Sequence, residues 1–253
     1  MATDTMLNVD SGTDDIFYRI QRVSGASKRV VYVKVTNADA IPEDDRTYGP
    51  DAMAQLSKLK EWSDHAWTTL LVHKDDEKGV WCEADVFLPP SVPRDDLLCD
   101  KYPTYDLFTL SLTRELGRFP REAEWVAREL RGYHALAGSP LAPKLLGYVS
   151  EQPASPDMDD RVVGFLIEKV DGRHAEPEDL EPCRRDLDQL HRHLIHGDLA
   201  KYNILITTDG PKFIDFEVSI PVGTKWWSVR LRDEERETLA VKPADTTGAC
   251  RPW

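Results

Sequence analysis

The chain predicts an α+β fold in two lobes, and three observations carry that reading. Segments of strand character alternate with two strongly periodic helical segments. A proline-rich stretch, PPSVPRDD at 89–96, interrupts the pattern and marks a boundary near residue 100. The length, 253 residues, suits one large domain or two small lobes and no more.

The elements follow in order. Residues 1–15, MATDTMLNVDSGTDD, lack apolar periodicity and read as a mobile tail. They are acidic and polar, unlike a secretory signal or an Arg-rich transit peptide. IFYRIQRV (16–23) and RVVYVKV (29–35) are rich in β-branched and aromatic residues and flank SGASK, which predicts a hairpin. DAMAQLSKLKEW (51–62) has the spacing of a short helix, and WTTLLVH (67–73) and VWCEADVFL (80–88) read as strands. Past the prolines, DLFTLSLTREL (106–116) predicts a strand. FPREAEWVARELRGYHALAG (119–138) predicts a helix, because Ala123, Val126, Ala127, Leu130, Tyr133 and Leu136 recur at helical spacing before Gly138. PKLLGYV (143–149) and VVGFLIEKV (162–170) are strands around a polar loop at 151–160. PEDLEPCRRDLDQLHRH (177–193) is a helix with proline at its start, and ILIT (204–207) and KFIDFE (212–217) form a hairpin over a DG turn.

Composition excludes several functions. Hydrophobic residues make up 41%, enough for a sizeable core. Lys and Arg total 32 against 45 Asp and Glu, a net charge of -13 that repels nucleic acid and anionic membranes alike. No apolar run approaches the ~20 residues of a membrane span. Cys82, Cys99, Cys183 and Cys250 sit far apart with no zinc spacing. A cytoplasmic protein is the expectation.

The chemistry concentrates in His196-Gly197-Asp198-Leu199-Ala200-Lys201-Tyr202-Asn203, followed by Ile214-Asp215-Phe216-Glu217. An Asp, an Asn five residues later and a second Asp beyond a hairpin make a phosphoryl-transfer pattern. One carboxylate orients the attacking hydroxyl, and two oxygen ligands hold Mg²⁺, a hard cation, against the phosphates.

These motifs resemble the protein kinase-like superfamily, specifically its aminoglycoside phosphotransferase-like branch, which uses HGD and an IDFE-type segment. The chain is also similar to a group of fungal kinase-like proteins with PKLLG, GFLIE and HGDL in this order. The resemblance covers roughly residues 105–220. It implies a two-lobe protein kinase-like fold with an elaborated N-terminal lobe and hinge over 16–170, and a short C-terminal lobe with the catalytic loop over 171–253. It implies Asp198 as catalytic base and Asn203 and Asp215 as Mg²⁺ ligands. Glu129 becomes the acidic partner of a phosphate-binding lysine, and Ile167, Glu168, Lys169 and Val170 become the hinge that meets adenine. Lys201 is placed near the transferred phosphate.

The resemblance has departures. DLFTLSLTREL lacks the lysine that should precede the Glu129 helix, leaving Arg114, Lys34 or nothing in its place. No GxGxxG is present. Gly197 replaces an arginine that grips a phosphorylated activation loop. No APE segment follows Glu217, and too little chain remains for the usual C-terminal helices. The expected cofactors are ATP and Mg²⁺, and the expected acceptor is a hydroxyl of a small molecule. The alternative is a pseudokinase-type scaffold with a protein partner. A zinc hydrolase built on His191, His193, His196 and Asp198 is the weaker rival, since residues two apart on a helix point to different faces.

Overall fold

Strand alternation organises the first part of the chain. The structure, a computed structural model, describes residues 3–64, 66–85, 91–93, 97–110, 123–151 and 161–241. A five-stranded sheet comes first, in the order β1 (Thr3–Ser11), β2 (Ile16–Ser24), β3 (Ser27–Val35), β4 (Thr69–Asp75) and β5 (Gly79–Asp85). Neighbours run antiparallel except β3 and β4, which are parallel. A parallel step needs a crossover, and this one contains helix α1 (Gly49–Leu56) and three 3-10 turns. Successive strand side chains point to opposite faces. Ile16, Tyr18, Ile20, Val31, Val33 and Val35 therefore share a core with Leu56, Trp62, Trp67 and Leu70. Phe17, Val30 and Tyr32 face the other way, toward Phe108.

Strand β1 corrects the expectation of a mobile tail. Met6 and Val9 pack on the core. Asp4 accepts hydrogen bonds from Arg22 Nε at 3.0 Å and Nη2 at 3.1 Å. Arg22 is 1% exposed, with its guanidinium 4.2 Å from the Trp67 ring centre and 4.9 Å from that of Trp62. A buried charge requires a partner, and the N-terminal strand delivers it.

A second sheet holds β6 (Thr104–Asp106), β7 (Leu145–Glu151) and β8 (Arg161–Ile167). Helix α2 (Ala123–Ala135) packs on it through Ala127 and Leu130, beside Tyr148 and Val162. The strand expected over 106–116 begins instead as a 3-10 turn, Leu107–Thr109, because Asp106 caps it by accepting from Phe108 N at 2.8 Å. Residues 111–122, Arg114 among them, lie outside the described residues. The two sheets meet at Glu151, which is 2% exposed and accepts from Tyr32 Oη at 2.8 Å. Arg19 and Arg161 also pair with it.

The remainder comprises β9 (Arg173–His174), α3 (Leu180–Leu190), β10 (Leu194–Ile195), β11 (Ile204–Thr207), β12 (Gly210–Phe213), β13 (Ile220–Pro221) and α4 (Val229–Thr238). Strand β11 lies between β12 and β9, and β10 pairs with β13. Cys183, Leu187, Leu190, Leu194, Ile204, Phe213, Phe216 and Leu239 fill their common core. Helix α4, ten residues long, follows Glu217, where no helix was read from the sequence. Ser228 caps it, its Oγ accepting from Leu231 N at 3.2 Å. Among the described residues no helix is long and apolar enough to cross a membrane.

Candidate active site

The loop from His196 to Asn203 leaves β10 and enters β11, so its ends are fixed by two strands. The pairing of Leu194 with Pro221 and Ile195 with Ile220 holds it beside the segment that follows Asp215. Two further bonds join the same segments: His196 Nε2 donates to Ile214 O at 2.9 Å, and Ile214 N donates to Asn203 O at 3.0 Å. The backbone thus brings Asp198, Asn203 and Asp215 to one place.

His196 is fully buried, and burial pushes its pKa down, favouring the neutral ring. Its Nδ1 faces the amide of Asp198 at 3.4 Å and its Nε2 faces a carbonyl. That pattern selects the Nε2–H tautomer. His196 is a brace for the loop.

Gly197 has φ +86, and a Cβ there would lie 2.6 Å from Val218 O. Only glycine takes that left-handed conformation readily and tolerates the close approach. An arginine is excluded at this position by the backbone itself.

The Asn203 carboxamide donates from Nδ2 to Asp198 O at 2.9 Å and lies 3.5 Å from Asp198 Oδ2. Its oxygen is left as an acceptor for a cation. Asp215, at φ 67, is the one non-glycine residue with positive φ among those described. Such a conformation costs roughly 1–3 kcal/mol and recurs at functional sites. Across from it, Glu129 on α2 has its carboxyl pushed up to about 8, by burial first and then by the charges of Asp215 and Glu217. Three acidic side chains facing each other create a demand for positive charge, and the oxygen-rich set suits Mg²⁺ bridged to phosphate. Among the described residues no group of three or more His, Cys, Asp and Glu is placed to hold a metal ion by itself. The zinc alternative finds its imidazoles engaged elsewhere: His196 with Ile214 O, and His191 with Glu235.

That stretch of chain can be matched. Residues 169–233 match the family model of the RIO domain.

The RIO domain is a member of the protein kinase-like superfamily, and its kinases are ATP-dependent. The mixed α/β architecture, with its N-terminal five-stranded sheet and helices, is consistent with that fold. The match lends no support to the aminoglycoside phosphotransferase-like branch. Its span contains Asp198, Lys201, Asn203 and Asp215, and it begins at Lys169.

The other expected residues lie as follows. Glu129 reaches the acidic cluster from α2. Helix α2 is pressed against the Asp215 segment at Gly132, where a Cβ would sit 2.4 Å from Phe216 Cβ. Ile167 ends β8, and Glu168 N donates to Lys144 O at 2.8 Å. Lys169 pairs with Asp171 at 3.2 Å, both exposed, and Val170 follows it. Lys201 is ion-paired with Glu176 at 3.0 Å. Lys34 lies on β3, in the five-stranded sheet, whereas residues 167–170 extend from the sheet of β6, β7 and β8.

Glu235 on α4 is the residue that sequence reasoning missed. It is buried and accepts from His191 Nε2 at 2.8 Å, His196 N at 3.1 Å and Gly197 N at 2.6 Å. Burial pushes its carboxyl up, yet the bonds from His191, Gly197 and His196 together hold it below the usual glutamate value. Helix α4 thereby anchors the loop that carries Asp198. No local signal marks Glu235, because VRLRDEERET is charged on every face.

Proposed function

We propose that the chain is an ATP-dependent phosphotransferase in which Asp198 orients an acceptor hydroxyl and takes up its proton. Asn203 and Asp215 hold Mg²⁺ through side-chain oxygens. When bound, Mg²⁺ and ATP supply the transferable phosphoryl group and neutralise charge on its oxygens. Glu129 positions a cation beside the phosphates, and the backbone at 167–170 faces the base. Lys201 is held by Glu176 at the edge of the site and is available to the phosphate side. Positioning and fixed charge supply most of the rate in such a site. The reading rests on one observation above all. Asn203 spends its amide nitrogen on Asp198 and keeps its oxygen for a cation, next to Asp215.

The acceptor in this reading is a hydroxyl of a small molecule. The support is the short connection from Glu217 to α4, which contains only the two-residue strand β13 and offers little platform for an extended peptide. Domain limits in this reading place the N-terminal lobe and hinge at 16–170, joined edgewise by β1, and the C-terminal lobe at 171–253. A second reading, nucleotide binding without transfer, draws support from Lys34, which lies in a different sheet from the one leading to the hinge.

One experiment separates the two. ATP turnover and ATP binding are measured in parallel on the wild type and Asp198→Ala. Transfer catalysis predicts turnover in the wild type and a loss of roughly 10²–10⁴-fold in the variant with binding kept. Binding without any turnover, across a panel of hydroxyl acceptors, supports the second reading and overturns the first.

A further inference from the structure

A cavity of about 400 Å³ opens between the end of α3 and helix α4, lined by Asp188, His191, Arg192, Arg232, Asp233 and Arg236. None of these residues belongs to the Asp198 loop or to the Asp215 segment. Three guanidiniums on one cavity invert the local charge of a chain whose net charge is -13. Two are held in place by carboxylates. Arg236 grips Asp188 through Nε at 2.6 Å and Nη2 at 3.2 Å. Arg232 grips Asp233 through Nε at 2.9 Å and Nη2 at 2.7 Å. Each of these forks keeps its Nη1 hydrogens for another acceptor. Arg192 is exposed, and among the described residues its side chain makes no hydrogen bond or ion pair. Among the lining side chains, two aspartates against three arginines leave one positive charge over.

We propose that this cavity is a phosphate-binding site, with Arg192 as its uncompensated anchor and Arg232 and Arg236 as flanking donors. Planar guanidinium forks match a phosphate group bidentately, and a tetrahedral oxyanion has enough oxygens to engage all three. The volume admits a phosphomonoester together with part of the group that carries it. His191, one of the lining residues, also bonds Glu235, so the ligand would sit next to the contact that holds the Asp198 loop.

The test is calorimetric titration of the full chain without nucleotide or Mg²⁺. The probes are inorganic phosphate and a phosphoserine peptide, with the unphosphorylated peptide as control. The phosphorylated probe is expected to bind with an affinity that falls as salt rises. Arg192→Gln should weaken it about tenfold or more, and Asp215→Ala should leave it unchanged, which separates this site from the proposed nucleotide site. Tighter binding of the phosphopeptide assigns the phosphate to a peptide, and equal affinities assign it to the free ion. Absence of binding at millimolar concentration, wild-type affinity in Arg192→Gln, or loss in Asp215→Ala alone would each overturn the proposal.

Discussion

Replacing Glu235 tests whether the last helix holds the loop that carries Asp198. Its two carboxylate oxygens accept from three donors, His191 Nε2, His196 N and Gly197 N, all in a buried setting. A buried donor left without an acceptor costs about 1–3 kcal/mol. Three such donors, after partial relaxation, put Glu235→Ala at about 3–5 kcal/mol, the range found when one partner of a buried charged pair is removed. That is a large part of the 5–15 kcal/mol typical of a folded domain. Glu235→Gln is no neutral isostere here. Placed at Oε1, its NH₂ would face the Gly197 amide, donor against donor. Placed at Oε2, it would face the His196 amide, while His191 could adapt by changing tautomer. The glutamine variant should therefore lose about 1–3 kcal/mol and lower nucleotide turnover while Asp198 is intact. Urea unfolding followed by circular dichroism reads the first quantity, and a turnover assay reads the second. A Glu235→Gln protein within about 0.5 kcal/mol of wild type, a difference ordinary for surface changes, with unchanged turnover, would refute the anchoring argument.

Three other expectations follow from neighbouring contacts. Because Glu235 is held below its usual pKa, its contribution is complete above the ordinary glutamate range and disappears as pH falls through the lower folded value. The acid limb of a stability profile should accordingly flatten in Glu235→Gln, and an unchanged limb would contradict the assignment. Gly197→Ala forces a Cβ into a left-handed backbone and against Val218 O; a loss of at least about 2 kcal/mol is expected, read by thermal or urea melting. Gly132→Ala pushes α2 away from Phe216 and should cost about 1–3 kcal/mol as overpacking, with weaker nucleotide binding because Glu129 moves with the helix.

The fold was legible where residues report on their own neighbourhood. The hairpin of Ile16–Ser24 and Ser27–Val35 follows from β-branched alternation, and the helix at Ala123–Ala135 follows from apolar spacing. Strand β1 was not legible. TDTMLNVDS carries few apolar residues, and it is held by a bond to Arg22 that no local pattern announces. Helix α4 was missed for a related reason, since its polar sequence buries little beyond Glu235. In the candidate site, the nearness of Asp198, Asn203 and Asp215 was readable, because a short hairpin joins the two segments that carry them. The reason for Gly197 became visible only with Val218 O beside it. The partners of Glu235 lie within 191–197, some 38 to 44 positions before it in the chain, so only the folded arrangement reveals them. The kinase-like resemblance was carried by HGD and IDFE, and the RIO domain match over 169–233 lends no support to the branch they had suggested.

The most direct test of the central claim is calorimetric titration of ATP into the full chain, with and without Mg²⁺, on wild type and Asp215→Ala. The account predicts binding that requires Mg²⁺ in the wild type and is lost in the variant. Failure to bind ATP at millimolar concentration, or equal Mg²⁺-dependent binding by both proteins, would contradict it.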